Sequence, residues 1–224
     1  MKTAFRTQVF TLFSGLAAAL AAAGTQAQPI SPITILEGGY TEYCSMAARN
    51  PGNLSSILIT GSRNPLGPVE ICSLAIQEGG AANRAINYSN RGVVHFSAGN
   101  TDAALADFDA AVRLDERLVF AHINRGYIFL FREQWEQAIG AFDRAIALGI
   151  DPEQRRTPAR AESATSDTAV VVPEMARVHY SRGIAHEELE HAREAYLDYL
   201  RASELAPDWE EPQRELERFE VIRQ

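Results

Sequence analysis

The sequence contains a single lysine, Lys2, and its formal net charge is −8. Every other basic side chain, histidine aside, is an arginine. A chain this acidic repels the phosphates of nucleic acids and anionic membrane surfaces. The composition therefore excludes a nucleic-acid-binding role.

Motifs that carry catalysis or phosphate binding are also missing. Gly79-Gly80 is not followed by the Gly-Lys-Ser/Thr of a phosphate loop, and no G-x-S-x-G elbow is present. His186 and His191 are five residues apart, so on one helix they would point about 140° away from each other, unlike the i, i+4 pair of a zinc protease. The carboxylates are spread along helix surfaces rather than paired. We expect no enzyme activity, no cofactor and no metal site.

The first residues have the three-part order of a secretory signal peptide. Lys2 and Arg6 precede an apolar stretch from Val9 to Ala23, and small residues lead to Ala27. The stretch is about 15 residues long, shorter than the roughly 20 residues that span a bilayer as a helix. We expect cleavage after Ala27, no integral membrane segment after cleavage, and a periplasmic or secreted protein. An uncleaved membrane anchor is the alternative.

Only two cysteines are present, Cys44 and Cys72, and both follow the signal sequence. Two thiols are too few ligands for a metal site. In an oxidising compartment a small, even number of cysteines usually forms disulfides. We therefore predict a Cys44–Cys72 disulfide, with two buried free thiols as the alternative.

The chain repeats itself with a period of 34 residues. Gly92 and Gly126 are each preceded by Asn-Arg, and a third copy begins at Arg182-Gly183. After each glycine come an alanine, an aromatic residue and a second alanine at constant offsets: Ala104, Phe108 and Ala111; Ala138, Phe142 and Ala145; Ala195, Tyr199 and Ala202. This register resembles the tetratricopeptide repeat, a unit of two antiparallel helices. One such pair cannot bury its own apolar faces, so the repeats must stack.

The resemblance implies an all-α fold, a superhelical solenoid of three tetratricopeptide-like repeats with amino- and carboxyl-terminal capping helices. The expected organisation is a signal peptide at 1–27, an amino-terminal capping segment at 28–84, repeats at 85–118, 119–152 and 176–209, and a capping helix at 210–224. The region between the second and third repeats, at about 153–175, is polar and is predicted to be an insertion.

The sequence departs from the family pattern where a leucine usually precedes the glycine. Arg91, Arg125 and Arg182 occupy that half-buried position. An arginine there needs a carboxylate partner, and Asp107 and Asp198 lie at matching positions on the second helix of the first and third repeats. The second repeat has an alanine instead, so the pairing is not expected to be general.

In the tetratricopeptide family the first helices of successive repeats line a concave groove that binds a polypeptide. Transferred by position, the predicted partner-binding residues are Asn90, Val93, Phe96, Phe120, Ile123, Asn124, Tyr127, Leu130, Phe131, Arg177 and Tyr180. The apolar, aromatic character of the second repeat suits an amphipathic helix or an extended peptide.

The sequence thus predicts an exported scaffold or adaptor that binds another protein or peptide, within a cell-envelope complex. A structural or self-associating protein, whose groove is filled by its own segments or by a second copy, is the alternative. An enzyme with an unrecognised site is a third.

Overall fold

A computed structural model describes residues 39–49, 66–149 and 173–219 of the chain. Nine α-helices make up most of these residues. In chain order they are α1 Gly39–Arg49, α2 Pro68–Glu78, α3 Ala81–Ser97, α4 Thr101–Leu114, α5 Val119–Phe131, α6 Trp135–Leu148, α7 Glu174–Glu188, α8 Ala192–Leu205 and α9 Glu210–Glu217.

Each predicted repeat is a pair of helices, α3 with α4, α5 with α6 and α7 with α8. Each pair packs against the next pair in the chain. The predicted all-α stack of tetratricopeptide-like units is confirmed. Two boundaries differ, because α3 begins at Ala81 and α7 at Glu174, before the predicted repeats begin.

The turn between the two helices of a repeat has the same geometry in all three units. One residue in each turn adopts the left-handed conformation: Gly99 with φ 81°, Glu133 with φ 58° and Glu190 with φ 60°. The next N–H then donates to a carbonyl five residues earlier: Asn100 to His95, Gln134 to Phe129, and His191 to His186, each at 2.9 Å. This hydrogen bond satisfies a carbonyl that the end of the helix leaves without a partner. The first of these three turns has a glycine at this position. In the other two a glutamate adopts the left-handed conformation, which strains the backbone of a residue that has a Cβ atom.

A glycine on each first helix faces an aromatic ring on the second. A Cβ atom added to Gly92 would lie 2.7 Å from Phe108 Cε1, and one added to Gly183 would lie 2.8 Å from Tyr199 Cε1. The same clash would arise between Gly126 and Phe142. The rings are almost fully buried, so they have little room to move aside. The repeating glycine is therefore required by the packing of each helix pair.

Helices α1 and α2 form a further pair that packs on the first repeat. Cys44 and Cys72 form a disulfide between them, as predicted. The two cysteines lie in a buried cluster with Ala47, Ala75 and Val94, the last of which belongs to α3. The bond thus joins the two helices that cover the start of the repeat stack.

Helix α9 covers the other end of the stack. Its buried residues are Pro212 and Glu215, and Leu216 and Phe219 pack against the core more peripherally. Trp209, just before the helix, stacks on Tyr180 with ring centroids 4.8 Å apart. The helix ends at Glu217, so the described part of the predicted cap is shorter than the range 210–224.

Several predictions fall outside the described residues. They concern the signal peptide at 1–27, the parts of the segment 28–84 that lie before residue 66 and outside α1, and the predicted insertion as far as residue 172. Over the ranges that are described, no helix combines the length and apolar composition needed to cross a bilayer.

The glycine packing predicts opposite effects for two glycine-to-alanine substitutions. Gly126→Ala should lower the free energy of unfolding by at least about 1 kcal/mol, because its Cβ overlaps the Phe142 ring. Gly140→Ala should raise it by about 0.5–1 kcal/mol, because that exposed helical position has nothing within 4 Å of the new Cβ. Urea unfolding measures both. Equal effects would contradict the packing argument.

The disulfide predicts a large effect of reduction on stability. Cys44 and Cys72 are separated by 28 residues, and for a loop of this size the chain-entropy model gives about 3–4 kcal/mol. Dithiothreitol should therefore lower the urea midpoint of the protein. The double variant Cys44→Ala, Cys72→Ala should unfold at the same midpoint with and without reductant. Two titratable thiols in the unfolded, non-reduced protein would overturn the assignment.

Candidate functional site

The first helices of the four helix pairs lie side by side and contact each other in series. Asn90 on α3 donates from Nδ2 to Ser45 Oγ on α1 at 3.1 Å. Phe96 on α3 packs edge-on against Phe131 on α5, with ring centroids 6.3 Å apart. Tyr127 on α5 donates to Glu174 Oε1 on α7 at 3.3 Å. Helices α1, α3, α5 and α7 therefore form one continuous layer.

Three of the predicted groove residues are buried in the core instead. Ile123 is 0% exposed, and Leu130 and Tyr180 are each 1% exposed. All three belong to the large apolar cluster that joins the second and third repeats. They stabilise the stack and are not accessible to a partner, so their prediction as binding residues is wrong.

The other predicted groove residues reach the surface to different degrees. Phe131, at the end of α5, is 45% exposed. The half-buried members are Val93, Phe96, Phe120, Asn124, Tyr127 and Arg177. We call these six residues and Phe131 the first-helix surface. Five of the seven side chains are apolar or aromatic, which is the composition that protein-binding surfaces favour.

Asn90 makes a contact within the molecule. The resemblance predicts it as a partner-binding residue, and its Nδ2 atom donates to Ser45 Oγ on α1. This amide is thus hydrogen-bonded to the helix pair that precedes the first repeat. Sequence position alone could not show this, because the segment containing α1 lacks the repeat pattern.

The predicted arginine–carboxylate pairs are present in the first and third repeats. Arg91 donates from Nε and Nη2 to the two carboxylate oxygens of Asp107, at 2.8 and 2.7 Å. Arg182 makes the same two bonds to Asp198, also at 2.8 and 2.7 Å. Both aspartates are almost fully buried, so the bidentate geometry offsets the desolvation of their charges.

Each of these arginines also reaches the second helix of the preceding pair, which the sequence reasoning missed. Arg91 donates to Ser73 Oγ on α2 at 2.9 Å. Arg125 pairs with Asp109 on α4, and Arg182 with Asp143 on α6. The 34-residue spacing of Asp109 and Asp143 is a signal that could have revealed these contacts. Each arginine therefore holds successive repeats together.

His179 adds a third donor to Asp198. Its Nδ1 atom lies 2.9 Å from Asp198 Oδ1. Burial alone would raise the pKa of the Asp198 carboxyl, but the hydrogen bonds from His179 and Arg182 outweigh it and hold that pKa below its usual range. The carboxylate stays charged inside the stack because three nitrogen donors surround it.

The His186 and His191 rings are close together, contrary to the helical estimate. Helix α7 ends at Glu188, so His191 lies in the turn, with its Nδ1 atom 3.4 Å from that of His186. The described parts of the chain contain no group of three His, Cys, Asp or Glu side chains arranged to hold a metal ion. The two histidines thus face each other at the turn between α7 and α8.

Comparison with known proteins supports the repeat assignment over part of the chain. No family model matches the sequence. A segment of 65 residues is 34% identical to Tetratricopeptide repeat protein 6 of Homo sapiens, covering 29% of this chain and 12% of that protein. Among solved structures, the N-terminal domain of stress-induced protein-1 (STI-1) from C. elegans covers 62% of this chain and 97% of its own, with 15% identity and a TM-score of 0.48.

The helix pairs, their constant turns and the glycine–aromatic packing define the class of protein. It is an all-α repeat protein built from tetratricopeptide-like helix pairs. The chain is thus similar to tetratricopeptide repeat proteins in fold and in a short stretch of sequence.

The surroundings of Asp198 predict a pH-dependent loss of stability on substitution. Asp198→Asn should lower the free energy of unfolding by about 3 kcal/mol at neutral pH, since it leaves His179 and Arg182 without their buried acceptor. Because the folded pKa is depressed, this contribution is complete above the unfolded pKa of about 3.9 and disappears as the pH falls through the folded value.

A matched substitution on a more exposed carboxylate serves as the control. Asp109, whose side chain is 36% exposed, pairs with Arg125, and Asp109→Asn should cost at most about 1 kcal/mol. Chemical unfolding of both variants and of the wild type is compared between pH 3 and 7, in steps of about one pH unit. Similar losses for both variants would contradict the distinction between buried and exposed pairs.

Proposed function

We propose that this chain is an exported adaptor that binds another polypeptide along the first-helix surface. The observation that carries the proposal is the group of partly exposed aromatic side chains on neighbouring first helices. Phe96 and Phe131 form a pair across α3 and α5, and Phe120 and Tyr127 continue the surface along α5. Aromatic residues in such clusters contribute most to binding when a partner covers them.

The charges around this surface suit a polypeptide better than a nucleic acid or a small anion. Helix α7 contributes Arg177 and, at its two ends, Glu174 and Glu188, so the first helices change from aromatic to mixed charge towards the third repeat. A peptide could insert apolar side chains near α5 and make polar contacts near α7. An amphipathic helix or extended segment has this combination of groups.

Export of the protein is supported by its cysteines and its first residues. The disulfide between Cys44 and Cys72 is a bond that persists in oxidising compartments and is rare in reducing ones. The segment 1–27 has the composition of a signal peptide. We therefore place the protein in the periplasm or outside the cell, and its partner in an envelope complex.

The proposal assigns the protein a binding role and no chemistry. The described carboxylates form ion pairs with arginines or lie on helix surfaces, and the half-buried histidine His179 is bonded to Asp198. None of these arrangements pairs a nucleophile with a base in a cleft. Scaffolding is also the usual role of this fold.

Phe131→Glu should weaken partner binding without changing the helix content. A buried carboxylate at the centre of an aromatic contact is costly, so we expect at least about a tenfold loss of affinity, roughly 1.4 kcal/mol or more. Affinity capture and crosslinking of the tagged protein from the envelope of its native host would identify the proteins lost from the variant.

Leu197→Glu is the matched control for this experiment. Leu197 is 52% exposed, comparable with 45% for Phe131, but it lies on the second helix α8. The control should capture the same proteins as the wild type. Identical capture by both variants would remove the first-helix surface from the proposal. A mass that rises with protein concentration, in the absence of another captured protein, would favour self-association.

A further inference from the structure

In the first and third repeats a carboxylate neutralises the arginine that precedes the repeating glycine of the helix pair. The second repeat has the arginine but lacks this carboxylate. Asp107 and Asp198 accept the Nε–H of Arg91 and Arg182, respectively. The corresponding residue of the second repeat is Ala141, which follows Asp107 by one repeat of 34 residues. The side chain of an alanine cannot accept a hydrogen bond, so the second helix of this repeat supplies no acceptor, and Arg125 pairs with Asp109 of the preceding repeat.

The donors themselves are retained in the second repeat. Arg125 corresponds to Arg182, and His122 corresponds to His179, because each lies 57 residues before its counterpart. In the third repeat, His179 and Arg182 converge on one carboxylate, that of Asp198. The second repeat therefore presents the same two side chains towards an alanine.

One of these donors, His122, has a buried nitrogen atom without a hydrogen bond. His122 is only 5% exposed, and its Nδ1 atom has no partner. Arg125 Nε lies 2.7 Å from Asp109 Oδ1, so its charge is met by a carboxylate of the preceding helix pair. Buried polar atoms without partners are rare in folded proteins because each costs free energy. The unpartnered Nδ1 atom of His122 indicates that an acceptor belongs beside it.

An open pocket adjoins these atoms. It has a volume of about 270 Å³ and lies between α5 and α6. The residues that line it are His122, Arg125, Phe129, Gln137, Gly140, Ala141 and Arg144. Arg144 is exposed and makes no ion pair with any described residue. The lining residues include two arginines and a histidine and no acidic side chain. Asp109 on α4 pairs with Arg125, so the positive charge that remains at the pocket is that of Arg144.

We infer that this second-repeat pocket binds a carboxylate, which takes the place that Asp107 and Asp198 occupy in the other repeats. The third repeat is the template for the complex. A carboxylate held there accepts one hydrogen bond from His122 Nδ1 and others from the Arg125 guanidinium, while Arg144 at the mouth adds a second positive charge. The ligand is a small carboxylate or the acidic side chain of another polypeptide.

The histidine couples this binding to a proton. His122 Nε2 lies 3.0 Å from the Glu116 carbonyl oxygen, which can only accept, so Nε2 carries the proton of the neutral ring. Its Nδ1 atom must then gain a proton before it can donate to a carboxylate. In the free protein burial lowers the pKa of His122, the Glu116 carbonyl opposes this, Arg125 and Arg144 lower it further, and Asp115 raises it.

A bound carboxylate adds a negative charge beside the ring and raises that pKa. Binding therefore takes up a proton, and affinity must fall as the pH rises. The fall is up to about tenfold per pH unit between the pKa of the free ring and that of the bound ring. This dependence separates the pocket from ordinary attraction of anions to surface arginines.

This inference does not depend on the proposed adaptor function. None of the residues that line the second-repeat pocket belongs to the first-helix surface. Phe131→Glu should leave carboxylate binding unchanged, and changes in the pocket need not affect the capture of a partner by that surface. The two hypotheses can therefore fail separately.

The test is an NMR titration of the nitrogen-15-labelled protein with sodium acetate, with sodium chloride at equal ionic strength as the reference. We expect the His122 ring resonances to shift saturably with acetate only, and the pKa of His122 to rise. Ala141→Asp supplies the carboxylate internally and should abolish the response. Arg144→Gln, an exposed change that preserves the fold, should weaken acetate binding severalfold and serves as the test if Ala141→Asp does not fold.

Two blocked peptides that differ by a single glutamate-to-glutamine change identify the source of the carboxylate. Tighter binding of the glutamate peptide than of acetate assigns the pocket to an acidic side chain, and weaker binding assigns it to a small carboxylate. The inference is overturned if acetate and chloride act alike, if Arg144→Gln binds acetate as the wild type does, or if a folded Ala141→Asp variant still responds.

Discussion

The stack depends on the close approach of the two helices within each repeat. Gly92, Gly126 and Gly183 each meet an aromatic ring of the second helix at a distance that leaves no room for a Cβ atom. Because the helices approach this closely, the alanines around the contact are fully buried, and dispersion contacts accumulate along the whole pair. The constant geometry of each pair in turn lets the next pair stack on it in the same way, so that one local constraint propagates through the molecule.

The charged junctions show how a repeated position can acquire different roles. In the first and third repeats the half-buried arginine is neutralised within its own helix pair by Asp107 or Asp198. In the second repeat the arginine is retained, its carboxylate is replaced by Ala141, and a pocket adjoins the arginine. Since all three arginines also contact the preceding helix pair, the residue contributes to stacking in every repeat. The second junction therefore combines a structural arginine with space for a ligand.

The predictions from sequence succeeded where a residue's role follows from its local register. The repeat period located the helix pairs, the turns and the arginine–aspartate pairs, and the two cysteines left only one possible intramolecular disulfide. The groove residues were predicted less well, because transfer by position specifies a helix face but not its final burial. Ile123, Leu130 and Tyr180 lie on first helices as predicted, yet neighbouring repeats and the Trp209 region cover them.

The sequence by itself determined the helical repeats, their small and aromatic contact residues and the pairing of the cysteines. These properties depend on spacing along the chain and on side-chain size, which the sequence states directly. The tertiary structure decided which groove residues remain accessible, that Asn90 is bonded to Ser45 on α1, and that Arg125 pairs with Asp109 while the Nδ1 atom of His122 has no hydrogen-bond partner. These properties depend on contacts between helices that are distant in sequence, and only the stacked molecule brings those groups together.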